Sequence, residues 1–325
     1  MKPKIYVTRR LPQPALDRIQ EVFEMAINPD DRVLTKAEIV ANVRGQDALL
    51  CLLTDTIDAE IMDAEKNLRV LSNYAVGYNN VDVEAATARK LPVTNTPGVL
   101  TETSADLAFT LILSVARRVA EADKFTRDGK FHGWGPMMLL GHDVYGKTLG
   151  IVGLGRIGLA TARRARGFGM NLLYASRTPK PEAEAELGAS RVELDDLLTA
   201  SDFVSVHVPL SDETTHVIGA REIGLMKPTA FLINTARGPI VDEAALVVAL
   251  RAGDIAGAGL DVYESEPALE PGLVELENTV LLPHVASATI ETRTKMAMLA
   301  AENAIAVIEG RTPAHLVNPE ALDRA

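Results

Sequence analysis

Three polar side chains in the C-terminal part of the chain could together reduce a 2-keto acid: Arg237, Glu266 and His284. Each follows a short apolar run that is typical of a strand. Such a reduction needs a cation for the substrate carboxylate, an acid that protonates the developing alkoxide, and a partner that keeps this acid charged. Arg237 can bind the carboxylate through two hydrogen bonds, His284 can donate the proton, and Glu266 can orient the imidazole.

Each of these residues also has a plainer interpretation. Arg237 could be a surface charge beside a helix, Glu266 could begin a turn, and His284 could bond a backbone carbonyl in a packed loop. Their shared position after strands favours catalysis, because open α/β sheets bind ligands at the carboxyl ends of their strands. His207, near another strand end, is expected to line a cofactor site. No spacing of His, Cys, Asp or Glu is typical of metal ligands, so no metal is expected.

Gly153, Gly155 and Gly158 form a G-x-G-x-x-G pattern between an apolar run and a helical one. In this pattern the first glycine permits a tight turn, the second lets the backbone approach a pyrophosphate, and the third lets the helix pack on its strand. The helix N-terminus adds amide donors and the positive end of the helix dipole. We therefore predict a dinucleotide site, against the alternative of a tight turn without a ligand.

The next predicted strand ends in Ser176, Arg177 and Thr178, and the first acidic residue after it is Glu182. An NAD site usually has an acidic residue at this point for the ribose 2′-hydroxyl, whereas an arginine suits a 2′-phosphate. We therefore predict that NADP(H) is preferred and NAD(H) is possible, with Arg177 as the phosphate ligand. The alternative is that Arg177 is only an exposed loop residue.

Short β-branched or leucine-rich runs alternate with longer segments of helical period, which indicates βαβ units on parallel sheets. The runs form two series, so two α/β sheets are expected. The predicted strands are residues 4–8, 48–53, 70–72 and 93–94 in the first series and residues 149–152, 172–175, 203–206, 230–234, 259–262 and 280–282 in the second.

Two long helical patterns are expected to link the two domains. Residues 101–127 place apolar side chains at helical spacing and are predicted to form one helix across the hinge. Residues 290–309 form the second pattern and are expected to cross back, so that the first domain contains both chain ends. We therefore expect one domain of residues 1–99 and 291–325 and a second of residues 100–290.

Composition limits the range of partners. The 325 residues include 33 Lys and Arg against 44 Asp and Glu, a formal net charge of −11. Because no basic run stands out, nucleic acid and anionic membranes are not expected as partners, which leaves small molecules. The single cysteine, Cys51, lies in an apolar run and is expected to be a buried thiol. No segment reaches the roughly 20 apolar residues of a membrane helix, so a soluble, cytoplasmic protein is expected.

Five segments resemble, in order, those of a known family, the D-isomer-specific 2-hydroxyacid dehydrogenases, and within it the glyoxylate/hydroxypyruvate reductases. They are residues 73–82, 146–158, 234–238, 259–267 and 283–289, and the resemblance covers nearly the whole chain. It implies an α/β fold of two Rossmann-like, doubly wound parallel-sheet domains with a cleft between them. The first would be a discontinuous, flavodoxin-like substrate domain and the second a dinucleotide-binding Rossmann domain. The implied activity is NAD(P)H-dependent reduction of glyoxylate to glycolate and of hydroxypyruvate to D-glycerate.

The resemblance also implies roles for individual residues. Arg237, Glu266 and His284 match the family's catalytic set. Cofactor contacts would come from loops of the second domain. The residues implied are Gly153, Leu154, Gly155, Arg156, Ile157, Gly158, Ser176, Arg177, Thr178, His207, Val208, Pro209, Thr214, Thr235, Ala236, Asp261 and Ser287.

In the first domain, the resemblance implies that the main-chain amides of Val76 and Gly77 bind the substrate carboxylate and that Leu52 or Leu53 lines a small pocket. A glycine permits such a close approach of the backbone. Trp134, the only tryptophan, lies in a loop that reaches the neighbouring subunit's active site in the similar reductases, which implies a homodimer. The alternative for Trp134 is a buried anchor of the dimer loop without substrate contact.

Two other functions stay open at this point. The first is a dehydrogenase for another D-2-hydroxy acid. A phosphorylated substrate would need basic residues near Leu52 and Tyr74, where apolar or neutral residues stand. The second is a dinucleotide-sensing binding protein of the same fold, against which the joint presence of Arg237, Glu266 and His284 argues.

Overall fold

The computed structural model describes residues 1–322. The chain forms two compact units, one made of Met1–Leu100 with the C-terminal residues from Ala288 and one made of Thr101–Ser287. Each unit has a single parallel sheet with helices on both faces. The predicted α/β class with two parallel sheets is therefore confirmed.

Twelve strands supply the two sheets. They are β1 (Lys4–Val7), β2 (Glu24–Ile27), β3 (Ala48–Leu52), β4 (Val70–Tyr74), β5 (Val93–Thr94), β6 (Thr148–Val152), β7 (Asn171–Ala175), β8 (Ser190–Arg191), β9 (Phe203–Val206), β10 (Phe231–Asn234), β11 (Gly257–Leu260) and β12 (Thr279–Leu281). The first unit has the strand order β2-β1-β3-β4-β5, and the second has the order β12-β11-β10-β9-β6-β7-β8.

The α-helices connect these strands. They are α1 (Gln13–Val22), α2 (Lys36–Val43), α3 (Ala59–Ala64), α4 (Val83–Ala88), α5 (Thr101–Ala116), α6 (Val119–Arg127), α7 (Arg156–Arg166), α8 (Pro181–Leu187), α9 (Leu194–Ala200), α10 (Ala220–Leu225), α11 (Glu243–Ala252) and α12 (Ile290–Ile308). In the first unit α12 packs on β4 and α1, and in the second unit α5 packs on α7 and β11.

Alternate side chains of the first sheet face two separate cores. Ile5 and Val7 of β1 pack with α1 and α12, whereas Tyr6 between them packs with α2 and α3. Successive side chains of a strand point to opposite faces, and a parallel sheet is usually buried on both. Cys51 of β3 is a fully buried free thiol, as predicted, and burial raises its pKa.

The strand order of the second sheet reverses between β6 and β9. The connections leave β6 toward β7 on one side and β9 toward β10 on the other, so a crevice opens outside the carboxyl ends of these two strands. The glycine loop follows β6 directly. The loops after β9, β10, β11 and β12 begin at the same edge of the sheet. The fold thereby gathers sequence-distant residues at one edge of the sheet.

Two edge strands, β2 and β8, are absent from the sequence prediction. The residues of β2 alternate between exposed and half-buried, and both residues of β8 are exposed. Edge strands bury less apolar surface than central ones, and neither segment has the β-branched or leucine-rich run by which the other strands were predicted.

The prediction of one helix over residues 101–127 is wrong. The helix ends at Ala116, and Arg118 adopts a left-handed conformation with a φ of 53° before α6 begins. The Arg118 guanidinium stabilises this turn by bonding the Glu121 carboxylate at 2.6 and 2.7 Å and the Leu140 carbonyl at 3.3 Å. Because α6 has no buried residue, no packing keeps it in line with α5.

Residues 1–322 contain neither a candidate membrane span nor a candidate metal site. In this part of the chain no helix combines the length and the apolar character that crossing a bilayer requires. Nor does it contain a group of three or more His, Cys, Asp or Glu side chains that could bind a metal ion.

Candidate active site

The glycine loop joins β6 to α7. Gly153 has a φ of +97°, and a Cβ atom there would lie 2.7 Å from Val208 Cγ1. A Cβ on Gly158 would lie 2.4 Å from the Gly153 carbonyl oxygen, so the helix and the loop pack too closely for a side chain. At Gly155, by contrast, a Cβ would meet no atom within 4 Å, which leaves open space before the helix N-terminus. These environments fit the pyrophosphate of a dinucleotide.

A buried hydroxyl after β10 also fits a ligand at this edge. Thr235 Oγ1 is buried and has no hydrogen-bond partner among residues 1–322. The side chain of Asn234 beside it is engaged, because its Oδ1 accepts from the Ala236 N–H at 3.0 Å and its Nδ2 donates to the Arg237 carbonyl at 2.9 Å. A buried hydroxyl without a partner costs about 1–3 kcal/mol, which a hydrogen bond to a bound cofactor would recover.

Two arginines lie at the carboxyl end of β7. Arg177 is exposed in the loop, and Arg191 of β8 donates to the Ser176 carbonyl at 3.1 Å and to the Arg177 carbonyl at 3.4 Å. Arg191 thus orients the backbone of the loop and adds a second positive charge there. The sequence analysis missed Arg191, because only the pairing of β8 with β7 brings it to this loop.

His207 and the turn that follows it lie on the other side of the glycine loop. Its Nε2 lies 2.9 Å from Ser205 Oγ, and burial lowers the pKa of His207 to about 4, so the ring is neutral at neutral pH. After Val208, the Thr214 hydroxyl donates to the Pro209 carbonyl at 2.7 Å. This bond fixes the turn that carries three of the predicted cofactor residues.

Arg237 follows β10 and is half-buried. Its Nη1 donates to the Ala236 carbonyl at 2.7 Å. Burial lowers the pKa of Arg237, and the charge of Glu266 acts in the opposite direction. The next residue, Gly238, packs backbone against backbone, since a Cβ there would lie 1.8 Å from the Tyr263 carbonyl carbon. This contact joins the loop of Arg237 to the loop that contains Glu266.

Glu266 and His284 form a hydrogen-bonded pair. Glu266 Oε2 lies 2.9 Å from His284 Nδ1, and Glu266 Oε1 accepts from the Tyr263 N–H at 2.9 Å. Burial acts to raise the pKa of Glu266, but the hydrogen bond and charge of His284, with smaller contributions from Tyr263 and Arg237, bring it below its ordinary value. Because Nδ1 is engaged, Nε2 is the nitrogen from which His284 can deliver a proton.

Asp261 stabilises the loop that presents this histidine. It is fully buried, and its two carboxylate oxygens accept the N–H groups of Val285 at 2.7 Å and Ala286 at 2.8 Å. Its carbonyl accepts the His284 N–H at 2.8 Å. His284 has a φ of 55°, a left-handed conformation that costs a non-glycine residue about 1–3 kcal/mol. The cofactor contacts expected of Asp261 and Ser287 stay predictions.

The sequence analysis also missed a buried carboxylate behind this loop. Glu243, the first residue of α11, is 3% exposed, and its Oε1 accepts the N–H of Glu264 at 2.8 Å. Glu264 Oε1 in turn lies 2.6 Å from His216 Nε2. Burial raises the pKa of Glu243 to about 7, and nearby carboxylates add to the effect. An acidic residue at a helix N-terminus usually faces solvent, so no sequence signal marked this one.

Replacing Glu243 with glutamine is expected to stabilise the protein increasingly as the pH rises from 5 to 7. The folded parent keeps a proton up to about pH 7 while the unfolded chain releases it near pH 4.5, so the parent loses stability across that interval. At 1.36 kcal/mol per pKa unit, the loss is on the order of 3 kcal/mol. Glutamine keeps an oxygen for the Glu264 N–H and has no charge to desolvate.

Urea unfolding of the parent and E243Q at a series of pH values measures this difference. The gap between their free energies of unfolding should widen up to about pH 7 and then stay level. A gap that does not vary with pH would contradict the burial of an ionisable group at this position.

The predicted substrate residues of the first unit lie at the carboxyl ends of its strands. Leu52 ends β3 with Leu53 next to it, and Val76 and Gly77 come shortly after β4. Asn80 Nδ2 donates to the Leu52 carbonyl at 3.0 Å and so ties one loop to the other. These residues occupy the edge at which α/β sheets bind ligands, and their role in substrate binding stays a prediction.

Trp134 is 82% exposed and is not buried within its own chain. It lies in a segment of the second unit that exposes several further large apolar side chains. These are Val119, Phe131, Met137, Leu140 and Tyr145. An apolar cluster of this kind often marks a protein interface.

Comparison with known proteins places these features in a family. The model for the NAD binding domain of D-isomer specific 2-hydroxyacid dehydrogenases matches residues 109–286, which include the glycine loop, Arg237, Glu266 and His284. A glyoxylate reductase of Korarchaeum cryptofilum is 54% identical over 322 residues, covering 98% of this chain and 97% of the relative. This chain belongs to the D-isomer-specific 2-hydroxyacid dehydrogenase family.

Solved structures of similar proteins share the fold of this dehydrogenase. A Thermus thermophilus protein is 48% identical with a TM-score of 0.91, covering 97% of this chain and 99% of the other. An NADPH-dependent glyoxylate/hydroxypyruvate reductase from Sinorhizobium meliloti, solved with NADP and malonate, is 37% identical with a TM-score of 0.87 and covers 100% of this chain and 99% of the other. The dehydrogenase is therefore an enzyme with an NAD(P)-binding domain, as the sequence motifs predicted.

Proposed function

We propose that this dehydrogenase reduces glyoxylate to glycolate and hydroxypyruvate to D-glycerate, with NADPH as the preferred reductant. The observation that carries the proposal is the 2.9 Å contact between Glu266 Oε2 and His284 Nδ1, in the same unit as Arg237 and the glycine loop. The relative from K. cryptofilum is named a glyoxylate reductase and the one from S. meliloti a glyoxylate/hydroxypyruvate reductase, which supports these two substrates.

In this proposal each site residue of the second unit has a defined task. Arg237 binds the substrate carboxylate through its planar guanidinium, and its partial burial strengthens that attraction. His284 protonates the carbonyl oxygen from Nε2 as negative charge develops there. Glu266 keeps the imidazole oriented through its hydrogen bond to Nδ1. The bound nicotinamide cofactor supplies the hydride.

Three groups of the proposed cofactor residues have a defined task. Gly153 to Gly158, at the start of α7, would hold the pyrophosphate, and Thr235 would donate its unpaired hydroxyl. Ser176, Arg177 and Thr178, with Arg191 beside them, would bind the 2′-phosphate.

The same proposal includes the domain boundaries. The substrate domain would comprise residues 1–99 and 291–325, and the dinucleotide domain would comprise residues 100–290.

Replacing Arg177 with alanine is expected to raise the dissociation constant of NADPH about 10- to 100-fold and that of NADH less than about 2-fold. Only NADPH has the 2′-phosphate that the guanidinium would bind. Fluorescence titration with each cofactor measures both dissociation constants. Arg221→Ala is the matched control, because Arg221 is an exposed arginine of α10 paired with Asp195. Equal losses for the two cofactors would rule out Arg177 as the phosphate ligand.

A paired steady-state assay tests the reaction itself. Oxidation of NADPH and NADH would be followed with glyoxylate, hydroxypyruvate and pyruvate. Fast turnover of glyoxylate or hydroxypyruvate with NADPH is expected. Preference for pyruvate would favour a dehydrogenase for another D-2-hydroxy acid. Cofactor binding without turnover of any acid would favour the dinucleotide-sensing protein.

A homodimer and a cytoplasmic location complete the proposal. The exposed apolar side chains around Trp134 supply a surface that a second copy would cover. The single free cysteine suits a reducing compartment. Sedimentation equilibrium should give twice the mass of 34.9 kDa, and a monomer at micromolar concentration would rule out the dimer.

A further inference from the structure

Three successive carbonyl groups of the first unit are each held by a hydrogen bond. They belong to residues 75–77, the segment after β4. Their donors are, in order, the Thr96 N–H at 2.8 Å, Asn95 Nδ2 at 2.8 Å and Asn73 Nδ2 at 3.0 Å. All three donors come from β4 or from the end of β5 within the same unit.

Holding these carbonyls also fixes the direction of three N–H groups. In a trans peptide the N–H points opposite to the carbonyl of the preceding residue. The N–H groups of Val76, Gly77 and Tyr78 therefore point away from the residues that hold the carbonyls. Within residues 1–322, none of the three donates a hydrogen bond, and Tyr78 is 46% exposed. Where successive N–H groups without partners face the same side, they can bind an anion between them.

The asparagines that hold this segment are themselves well ordered by hydrogen bonds. Asn73 is fully buried, and its amide also contacts Asn80, whose Nδ2 donates to the Leu52 and Asp55 carbonyls at 3.0 Å. The carbonyl of Asn95 accepts from Asn303 Nδ2 at 3.0 Å. The side-chain amide of Asn73 and the backbone of Asn95 are therefore held in place before any ligand arrives.

We propose that Asn95 and Asn73 are positioning residues that turn the amides of Gly77 and Tyr78 outward, beside that of Val76, to bind the carboxylate of the 2-keto acid. This inference rests on the proposed function. It goes beyond the family resemblance, which concerns the amides of Val76 and Gly77, by adding the Tyr78 N–H as a third donor and by naming the side chains that orient two of the three.

Asn95→Ala is the first test, because Asn95 is only half-buried and its removal should leave the core intact. The KM for glyoxylate is expected to rise about 10- to 100-fold, the range for losing hydrogen bonds to a charged group. The value of kcat should change much less, since the carboxylate is bound equally in the ground and transition states. The dissociation constant of NADPH should stay within about 2-fold of the parent.

Asn42→Ala is the matched control, because Asn42 Nδ2 also donates to a backbone carbonyl, that of Glu38 at 2.8 Å, on the exposed side of α2. Its KM should equal that of the parent. An unchanged KM in Asn95→Ala would overturn the positioning role. So would a KM rise matched by equal losses in kcat and in NADPH affinity, because that pattern indicates general damage to the fold.

A binding experiment that needs no turnover tests the third donor. The chain has 6 tyrosines, so labelling with 15N-tyrosine gives few amide signals, and Tyr78→Phe identifies the one from residue 78. Adding glyoxylate to the NADP⁺ complex of the parent should shift that signal. A signal that stays in place while glyoxylate is being reduced in the assay would overturn the inference and leave the proposed function standing. A shift of the signal without any turnover of glyoxylate would support the Tyr78 N–H as a donor and would overturn the proposed function.

Discussion

Replacing His284 with alanine is expected to lower kcat for glyoxylate by about 100- to 10,000-fold, the contribution typical of a positioned general acid. The dissociation constant of NADPH should change less than about 2-fold, because the imidazole acts on the substrate oxygen. The expectation follows from the geometry, since Nδ1 is bound to Glu266 at 2.9 Å and Nε2 remains for the substrate. Stopped-flow measurement of hydride transfer follows the loss in catalytic rate. Fluorescence titration gives the dissociation constant of NADPH.

Two further variants sharpen this test. Glu266→Gln keeps an oxygen near His284 Nδ1 but removes the charge, so its loss of kcat should be smaller than that of His284→Ala. His315→Ala removes a histidine of the first unit, far in the sequence from the site, and should retain the parental kcat. Parental turnover in His284→Ala would remove this residue from the mechanism.

Arg237→Ala should lower kcat/KM for glyoxylate by about 30-fold to several thousand-fold. Truncating one partner of a buried, hydrogen-bonded charge pair costs about 2–5 kcal/mol, and the substrate carboxylate would be that partner. Arg237→Lys should recover only part of the loss, because an ammonium cannot reproduce the planar fork of a guanidinium. Initial rates over a range of glyoxylate concentrations measure the effect.

The control for this variant concerns the surrounding loop. Arg237 also donates to the Ala236 carbonyl, so the melting temperature and NADPH affinity of Arg237→Ala must be compared with those of Arg221→Ala. The substrate effect should exceed any change in cofactor binding by at least about 10-fold. An unaltered response to glyoxylate concentration would contradict carboxylate binding by Arg237.

The parts of the site that follow from local sequence were predictable. The glycine loop is contiguous, and two of its three glycines answer a steric demand that the structure shows, the φ of +97° at Gly153 and the 2.4 Å approach at Gly158. The central strands were predicted because parallel sheets bury both faces and so need continuous apolar runs. The pairing of Glu266 with His284 was predictable from their side chains and their positions after strands.

The parts that depend on long-range contacts were not predictable. Arg118 breaks the helix expected over residues 101–127, and besides the local bond to Glu121 its left-handed conformation is stabilised by a bond to the carbonyl of Leu140, a residue of a later loop. Arg191 reaches the loop of Arg177 only through the pairing of an edge strand. Propensity and periodicity describe a residue's own neighbours along the chain and not such partners.

The amino-acid sequence by itself determined the α/β class and the glycine loop and offered Arg237, Glu266 and His284 as the proposed catalytic set, because side-chain type and apolar period are local properties. Only the tertiary structure decided how those groups are held. The left-handed His284 depends on Asp261, the raised pKa of Glu243 depends on its burial, and the outward amides of residues 77 and 78 depend on Asn95 and Asn73. Each of these depends on hydrogen bonds or burial that arise when distant segments pack together.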